Sequence, residues 1–178
     1  MASRRMNSTL GRAGYNKRPS RSMGPSVEQY SDVLRRFLLS RAIWHKFIEF
    51  DEPVKTVAQA ARKVDANLVA KSIILMDSTN APLMAVLRAN DRISYKKLKA
   101  LLSVKDVRLA NEKEVLQYSG YPVGGVPPFN NVKRAFLDSQ VLKNTTAIVG
   151  GGDINKLVEL RTKDIVDFVK PVIEDFIN

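Results

Sequence analysis

Apolar side chains at Val27, Tyr30, Leu34, Phe37 and Leu38 recur at three- and four-residue intervals, with Glu28, Arg35 and Arg36 between them. That period predicts an amphipathic helix. Residues 44–50 then read as a short strand, ended by Asp51-Glu52-Pro53. Thr56 and Gln59 make a T-x-x-Q capping pattern, so a second helix is expected over 57–63. The most strand-like region follows. Residues 70–76 and 82–87 are apolar runs separated by Asp77-Ser78-Thr79-Asn80, and predict a hairpin at the centre of the domain.

Farther on, Ile93, Leu98, Leu101 and Leu102 interleave with Lys96, Lys97 and Lys99, the pattern of a basic amphipathic helix. A strand is expected over 107–110, and Asn111 with Glu114 caps a short helix ending near Tyr118. Residues 119–131, SGYPVGGVPPFNN, hold too many glycines and prolines for a regular element. Strands at 134–137, 145–149 and 157–160 come next, with a helical turn after Asp138 and Gly150-Gly151-Gly152 closing the second. Thr162 is expected to cap a last helix over 163–176, in which Pro171 forces a kink or an early stop. Six or seven strands and four or five helices in mixed order, without an internal repeat, predict an α/β (α+β) domain around a mixed sheet.

Composition narrows the chemistry. The 178 residues suit one domain, and 44% apolar content supplies a core. The chain has no cysteine, which excludes disulfide frameworks, zinc ribbons and thiol nucleophiles. Its single histidine, His45, excludes an all-histidine metal cage and, beside Trp44 in an expected strand, reads as structural. Asp138 and Asp153 lack a second carboxylate at ligand spacing, so neither a metal nor another cofactor is expected. No apolar run approaches the roughly 20 residues of a membrane span, and a cytoplasmic address is expected.

Charge adds a direction. The formal charge is +11, and the first 26 residues hold six basic side chains and no acid. This predicts a disordered basic tail over 1–26 and a folded domain over 27–178. The domain itself keeps 23 basic against 18 acidic residues, which favours polyanionic partners.

Three features are candidates for chemistry. Lys71 interrupts the apolar run VAKSIIL, where an unpaired ammonium is costly; it either points outward at the strand start or sits in a cleft to hold a phosphate or oxyanion. The GGVPP loop at 124–128 is either a tight turn or a set of free amides that a ligand approaches closely. Gly150 to Gly152 lack both the GxGxxG spacing and a following GKS or GKT, so a mononucleotide site is disfavoured. An enzyme with this inventory works without a strong side-chain base, leaving the backbone to stabilise charge and water or the substrate to carry the proton.

The segments TVAQAARKVDANLVAKSIIL, GYPVGGVPPF and AFLDSQVLKNTTAIVGGGDINKLVEL resemble, in that order, the YbaK and prolyl-tRNA synthetase-associated domain family. The resemblance runs from about Val27 to Phe176. It implies a mixed sheet rolled toward a barrel with helices outside, and hydrolysis of the ester of mischarged aminoacyl-tRNA without a protein nucleophile. It places the family lysine on Lys71 and the GxxxP loop on Gly124 to Pro128. By the same resemblance Lys71 holds the terminal adenosine or its phosphate, and the Gly124 and Gly125 amides approach the scissile carbonyl. Ser72, Val126, Pro128, Asp138, Gly150, Gly151 and Gly152 shape the substrate pocket. Lys63, Arg88, Arg92, Lys96 and Lys97 are candidates for the tRNA acceptor stem, or simply a solvated surface. Val126 and Pro127 depart from the small polar residues common in cysteinyl-tRNA deacylases of the family. A small amino acid is implied, such as Cys or Ala on tRNA of the proline type, and an aminoacyl-tRNA synthetase is a possible partner. Membranes and specific DNA are not expected partners. The competing expectation is a non-catalytic tRNA-binding or synthetase-associating module of the same fold.

Overall fold

A computed structural model describes residues 29–178. The expected tail over 1–26, and Val27 at the head of the first helix, lie outside the described residues. Helix α1 (Tyr30–Ser40) buries Leu34 and Leu38, whereas Tyr30 and Phe37 from the same apolar stripe remain partly exposed. Strand β1 (His45–Glu49) follows. The Thr56 capping box forms as expected, with Gln59 reaching back to the Thr56 amide, but helix α2 (Val57–Ala60) lasts only one turn. A 3-10 turn (Ala66–Leu68) leads into the hairpin of β2 (Ala70–Asp77) and β3 (Pro82–Arg88).

Helix α3 (Tyr95–Leu102), β4 (Val107–Leu109) and α4 (Glu112–Ser119) come next, the last opened by the Asn111–Glu114 capping box. After the irregular 119–131 segment lie β5 (Ala135–Asp138), a 3-10 turn (Ser139–Lys143), β6 (Thr146–Gly151) and β7 (Asp153–Arg161). Gly150 and Gly151 thus belong to a strand. Helix α5 (Thr162–Val169) is shorter than expected, because Lys170 turns left-handed (φ 50°) and Pro171 has no amide to continue the ladder. The chain beyond is not helix but a strand, β8 (Val172–Glu174). Nor does Thr162 cap from outside: it is the first helical residue, and its hydroxyl donates to the Asn144 and Thr145 carbonyls.

The strands form two sheets, so the expected single sheet rolled toward a barrel is corrected. One is antiparallel, in the order β1-β7-β6; the other is mixed, in the order β4-β2-β3-β5-β8, with β3-β5 and β5-β8 parallel. A single parallel bridge, Val69 to Ile148, touches between them, and the sheets do not close. Both faces of the β2-β3 hairpin are buried, which explains its near-continuous apolar sequence. Ile74, Met84 and Val86 face the core under α1, and Leu75, Leu83 and Leu87 face a second core that holds Leu98 of α3 and Phe176. A small third cluster joins Ala60 of α2 to Val69, Ile148 and Leu157. It forms the floor beside which the site opens. No helix among the described residues is long and apolar enough to cross a membrane.

Candidate active site

Where β2 begins, the chain leaves a cleft of about 430 Å³ between α2, the 119–131 segment and the end of β6. Its lining includes Lys71, Ser72, Gly124, Val126 and Gly150, so five of the residues singled out in sequence meet around one space. Lys71 and Ser72, adjacent on a strand, leave from opposite faces; the cleft reaches both because it wraps the strand's first residues.

Lys71 does not simply point into water. Its Nζ donates to the Ala89 carbonyl at 2.9 Å and to the Asp91 carbonyl at 2.7 Å, both in the turn that leaves β3. An ammonium has three donors, so one remains for a ligand. Burial lowers the Lys71 pKa from its ordinary value, the Asp91 charge opposes that shift, and Arg92 reinforces it. The turn is itself fastened: Arg88 binds the Asp91 carboxylate at 2.7 Å and the Asp91 amide donates to the Arg88 carbonyl. Arg88 therefore supports the lysine's cradle.

On the strand's other face, the Ser72 hydroxyl is buried without any hydrogen-bond partner. The opposite wall is a turn over 122–125. Gly124 sits at its crest with φ 90°, a conformation that side-chain-bearing residues avoid. The Gly125 amide closes this turn onto the Pro122 carbonyl at 3.0 Å, so it is not available to a substrate. The amides of Gly124 and Val126, by contrast, have no acceptor among the described residues. Gly125 is needed for a different reason: a Cβ there would lie 2.1 Å from the Gly152 carbonyl oxygen, while the Gly152 amide donates to the Gly125 carbonyl. Gly150 likewise admits the backbone of Gly125 and Val126. The two glycine stretches thus pack on each other, main chain to main chain, and hold the turn against β6.

The remaining expected site residues stand elsewhere. Gly125 belongs to the turn, Gly152 supports it from behind, and Gly151 packs over Lys156 and Leu157. Pro128 lines a separate basin. Asp138 is fully buried and accepts hydrogen bonds from the amides of Gln140 and Phe176, which makes it a structural clasp. Among the basic residues, Lys63 donates to the Glu49 carbonyl, Lys97 is tied to Asp175 and the Ile177 carbonyl, and Arg92 and Lys96 are exposed. His45 bonds the Ile43 carbonyl through Nδ1 and meets Phe47 edge-on. The α2 wall, with Val54, Val57 and the exposed Lys55 at the rim, was not singled out; the capping box was the signal for it. No cluster of three metal-ligating side chains occurs among the described residues.

The residues that line the cleft carry an ammonium, two amides without an acceptor, one unpartnered hydroxyl and aliphatic side chains. Such a set stabilises negative charge and excludes water from an apolar group.

Comparison with other proteins agrees in kind. YwhH of Bacillus subtilis (strain 168), a protein described as uncharacterized, is 28% identical over 124 residues, covering 67% of this chain and 78% of that protein. A proline–tRNA ligase of Pediococcus pentosaceus is 31% identical over 94 residues, which cover 51% of this chain but only 16% of the ligase. The crystal structure of the hypothetical protein APE2540 superposes with a TM-score of 0.74 at 28% identity, over 82% of this chain and 99% of that one. A protein proposed as a trans-editing enzyme for prolyl tRNA synthetase shares the fold, with a TM-score of 0.74 at 21% identity over 86% of this chain and 99% of that one. The profile of the aminoacyl-tRNA editing domain family matches residues 51–168, and so spans the cleft from its α2 wall to helix α5. The chain belongs to the aminoacyl-tRNA editing domain family.

Proposed function

We propose that this chain is a trans-editing aminoacyl-tRNA deacylase, which hydrolyses the ester between a wrongly attached small amino acid and the terminal ribose of tRNA. The observation that carries the reading is that Lys71, Gly124 and Val126 line one cleft, the last two with amides that have no acceptor among the described residues. In the reaction water adds to the acyl carbon, the carbonyl oxygen becomes an oxyanion, and the ester C–O bond then breaks. The ribose oxygen leaves with a proton and the amino acid leaves as a carboxylic acid. The free amides receive the developing oxyanion, and Lys71 holds the negative charge of the tRNA end or of the transition state. With no side-chain base in the cleft, the neighbouring ribose hydroxyl orients the water.

Val54, Val57, Val69, Val126 and Leu157 line the space left for the amino acid. Aliphatic walls favour a small, uncharged side chain, with alanine or cysteine on tRNA of the proline type the first to try. Such walls separate neighbours differing by one methylene by only about 1 to 3 kcal/mol, so contacts with the tRNA contribute the rest. Arg92 and Lys96 are the exposed cations best suited to reach it. The test is release of amino acid from a panel of mischarged tRNAs by the wild-type chain and by Lys71→Ala. Deacylation that falls at least about tenfold in the variant, or 1.4 kcal/mol of transition-state stabilisation, is expected. Binding of charged tRNA with no hydrolysis across the panel would instead make the chain a binding module.

A further inference from the structure

A second cavity, of about 650 Å³, lies between α1, α5 and the far side of the 119–131 segment, and nothing in the deacylation chemistry uses it. Its wall is a run of three phenyl rings. Phe37 and Phe129 have centroids 5.5 Å apart, and Phe168 stands edge-on to Phe129 at 6.5 Å. Phe37 and Phe168 are 36% and 44% exposed, an unusual placement for rings that have a core beside them. Around them are Arg41, Lys133 and Lys170, exposed and without an ion-pair partner among the described residues. The one acid in the lining, Asp167, is already neutralised by Lys163.

We propose that this basin binds an unpaired nucleotide of RNA, its base stacked on the exposed Phe168 ring with Phe37 as a side wall, and its phosphates met by Arg41, Lys133 and Lys170. Exposed aromatic faces bordered by unpaired cations match the two halves of a nucleotide: a flat base that stacks without sequence preference and a phosphate that needs positive charge. A duplex exposes base faces only at its terminal pairs, so an unpaired base is the better match. The basic N-terminal residues 1–26 are a poor occupant, since their six cations and no acid meet cations of the same sign. The basin does not depend on the hydrolytic reading of the other cleft. RNA is preferred to other polyanions because the chain belongs to a family named for acting on tRNA.

The test is a titration of the full chain with fluorescently labelled oligoadenylate RNA, with an RNA duplex and with a polyglutamate peptide. Oligoadenylate is expected to bind best. Phe168→Ala should weaken it at least about fivefold, since stacked bases contribute at that scale. Lys133→Glu should weaken it at low salt and flatten the salt dependence. Lys105→Ala, which removes an exposed cation outside both cavities, should leave it unchanged. Equal affinity in wild type and Phe168→Ala overturns the proposal, as does an equal loss in Lys105→Ala and Phe168→Ala or a preference for polyglutamate. An unchanged urea unfolding midpoint in Phe168→Ala shows that a loss of RNA binding is not a loss of fold.

Discussion

The two ends of the β2-β3 hairpin are built from the same pair of strands and have opposite polar economies. At the turn end, Asp77 is almost fully buried and every demand of its carboxylate is met. One oxygen accepts from the Thr79 amide, the Thr79 hydroxyl and the Ala81 amide, and the other binds Arg134 at 2.7 Å. The Thr79 hydroxyl first, with Arg134 and the two amides, holds its pKa well below the usual carboxylate range against the pull of burial. At the cleft end, Lys71 keeps a spare donor and a lowered pKa, and Ser72 has no partner at all. Satisfied polar groups hold a fold; unsatisfied ones are what a ligand can complete. The hairpin is pinned at one end so that the other can stay incomplete.

Substitution should separate the two ends. Asp77→Ala, which strands Arg134 and three donors, is expected to cost roughly 2 to 3 kcal/mol in urea unfolding while the cleft chemistry survives in the folded fraction. Gly125→Ala should come next, at about 2 kcal/mol, because its methyl would meet the Gly152 backbone and not a movable side chain. Lys71→Met is expected to do the reverse of Asp77→Ala: deacylation falls at least about tenfold while stability stays within about 1 kcal/mol of wild type or rises, since a desolvated charge is removed. A large loss of stability in Lys71→Met would make the lysine structural and erase the contrast. Ser72→Ala should be the mildest, neutral or up to about 1 kcal/mol stabilising, because no hydrogen bond is lost.

Acid and base sharpen the same contrast. The folded-state pKa of Asp77 is depressed, so its contribution is present above the ordinary carboxylate range and is lost as pH falls toward the depressed value. Urea unfolding between about pH 5 and pH 2 should therefore steepen on this residue and flatten in Asp77→Asn. For Lys71 the folded pKa is also lowered, which means the folded state gives up this proton more readily and gains stability from the group as pH rises toward 10.5. A rate that needs the ammonium should accordingly begin to fall at a pH below 10.5, and Lys71→Met should lack that limb.

Much of this was readable along the chain, and the gaps have physical causes. The hairpin, both capping boxes and the early end of α5 follow from local rules, because period, cap and proline act within a few residues. The split into two sheets follows from pairings such as β1 with β7, more than a hundred residues apart, and no local pattern encodes them. Strand β8 leaves no mark on the sequence pattern because its three residues are all exposed and carry no alternation against a core. In the site, Lys71 stood out as a charge within an apolar run, but its carbonyl partners lie 18 and 20 residues downstream and become neighbours only through the hairpin. Gly124 and Gly125 look alike in sequence. A single hydrogen bond to Pro122 gives one of them to the turn and leaves the other's amide open.

The pair of carbonyls that grips Lys71 has a consequence for timing. A long, flexible side chain ordinarily surrenders its rotational freedom when its guest arrives, and affinity suffers accordingly. Here that freedom is given up during folding, when the strand and the following turn come together. An arriving anion finds the cation already aimed, and on the proposed reading more of the contact between them is left for the chemical step.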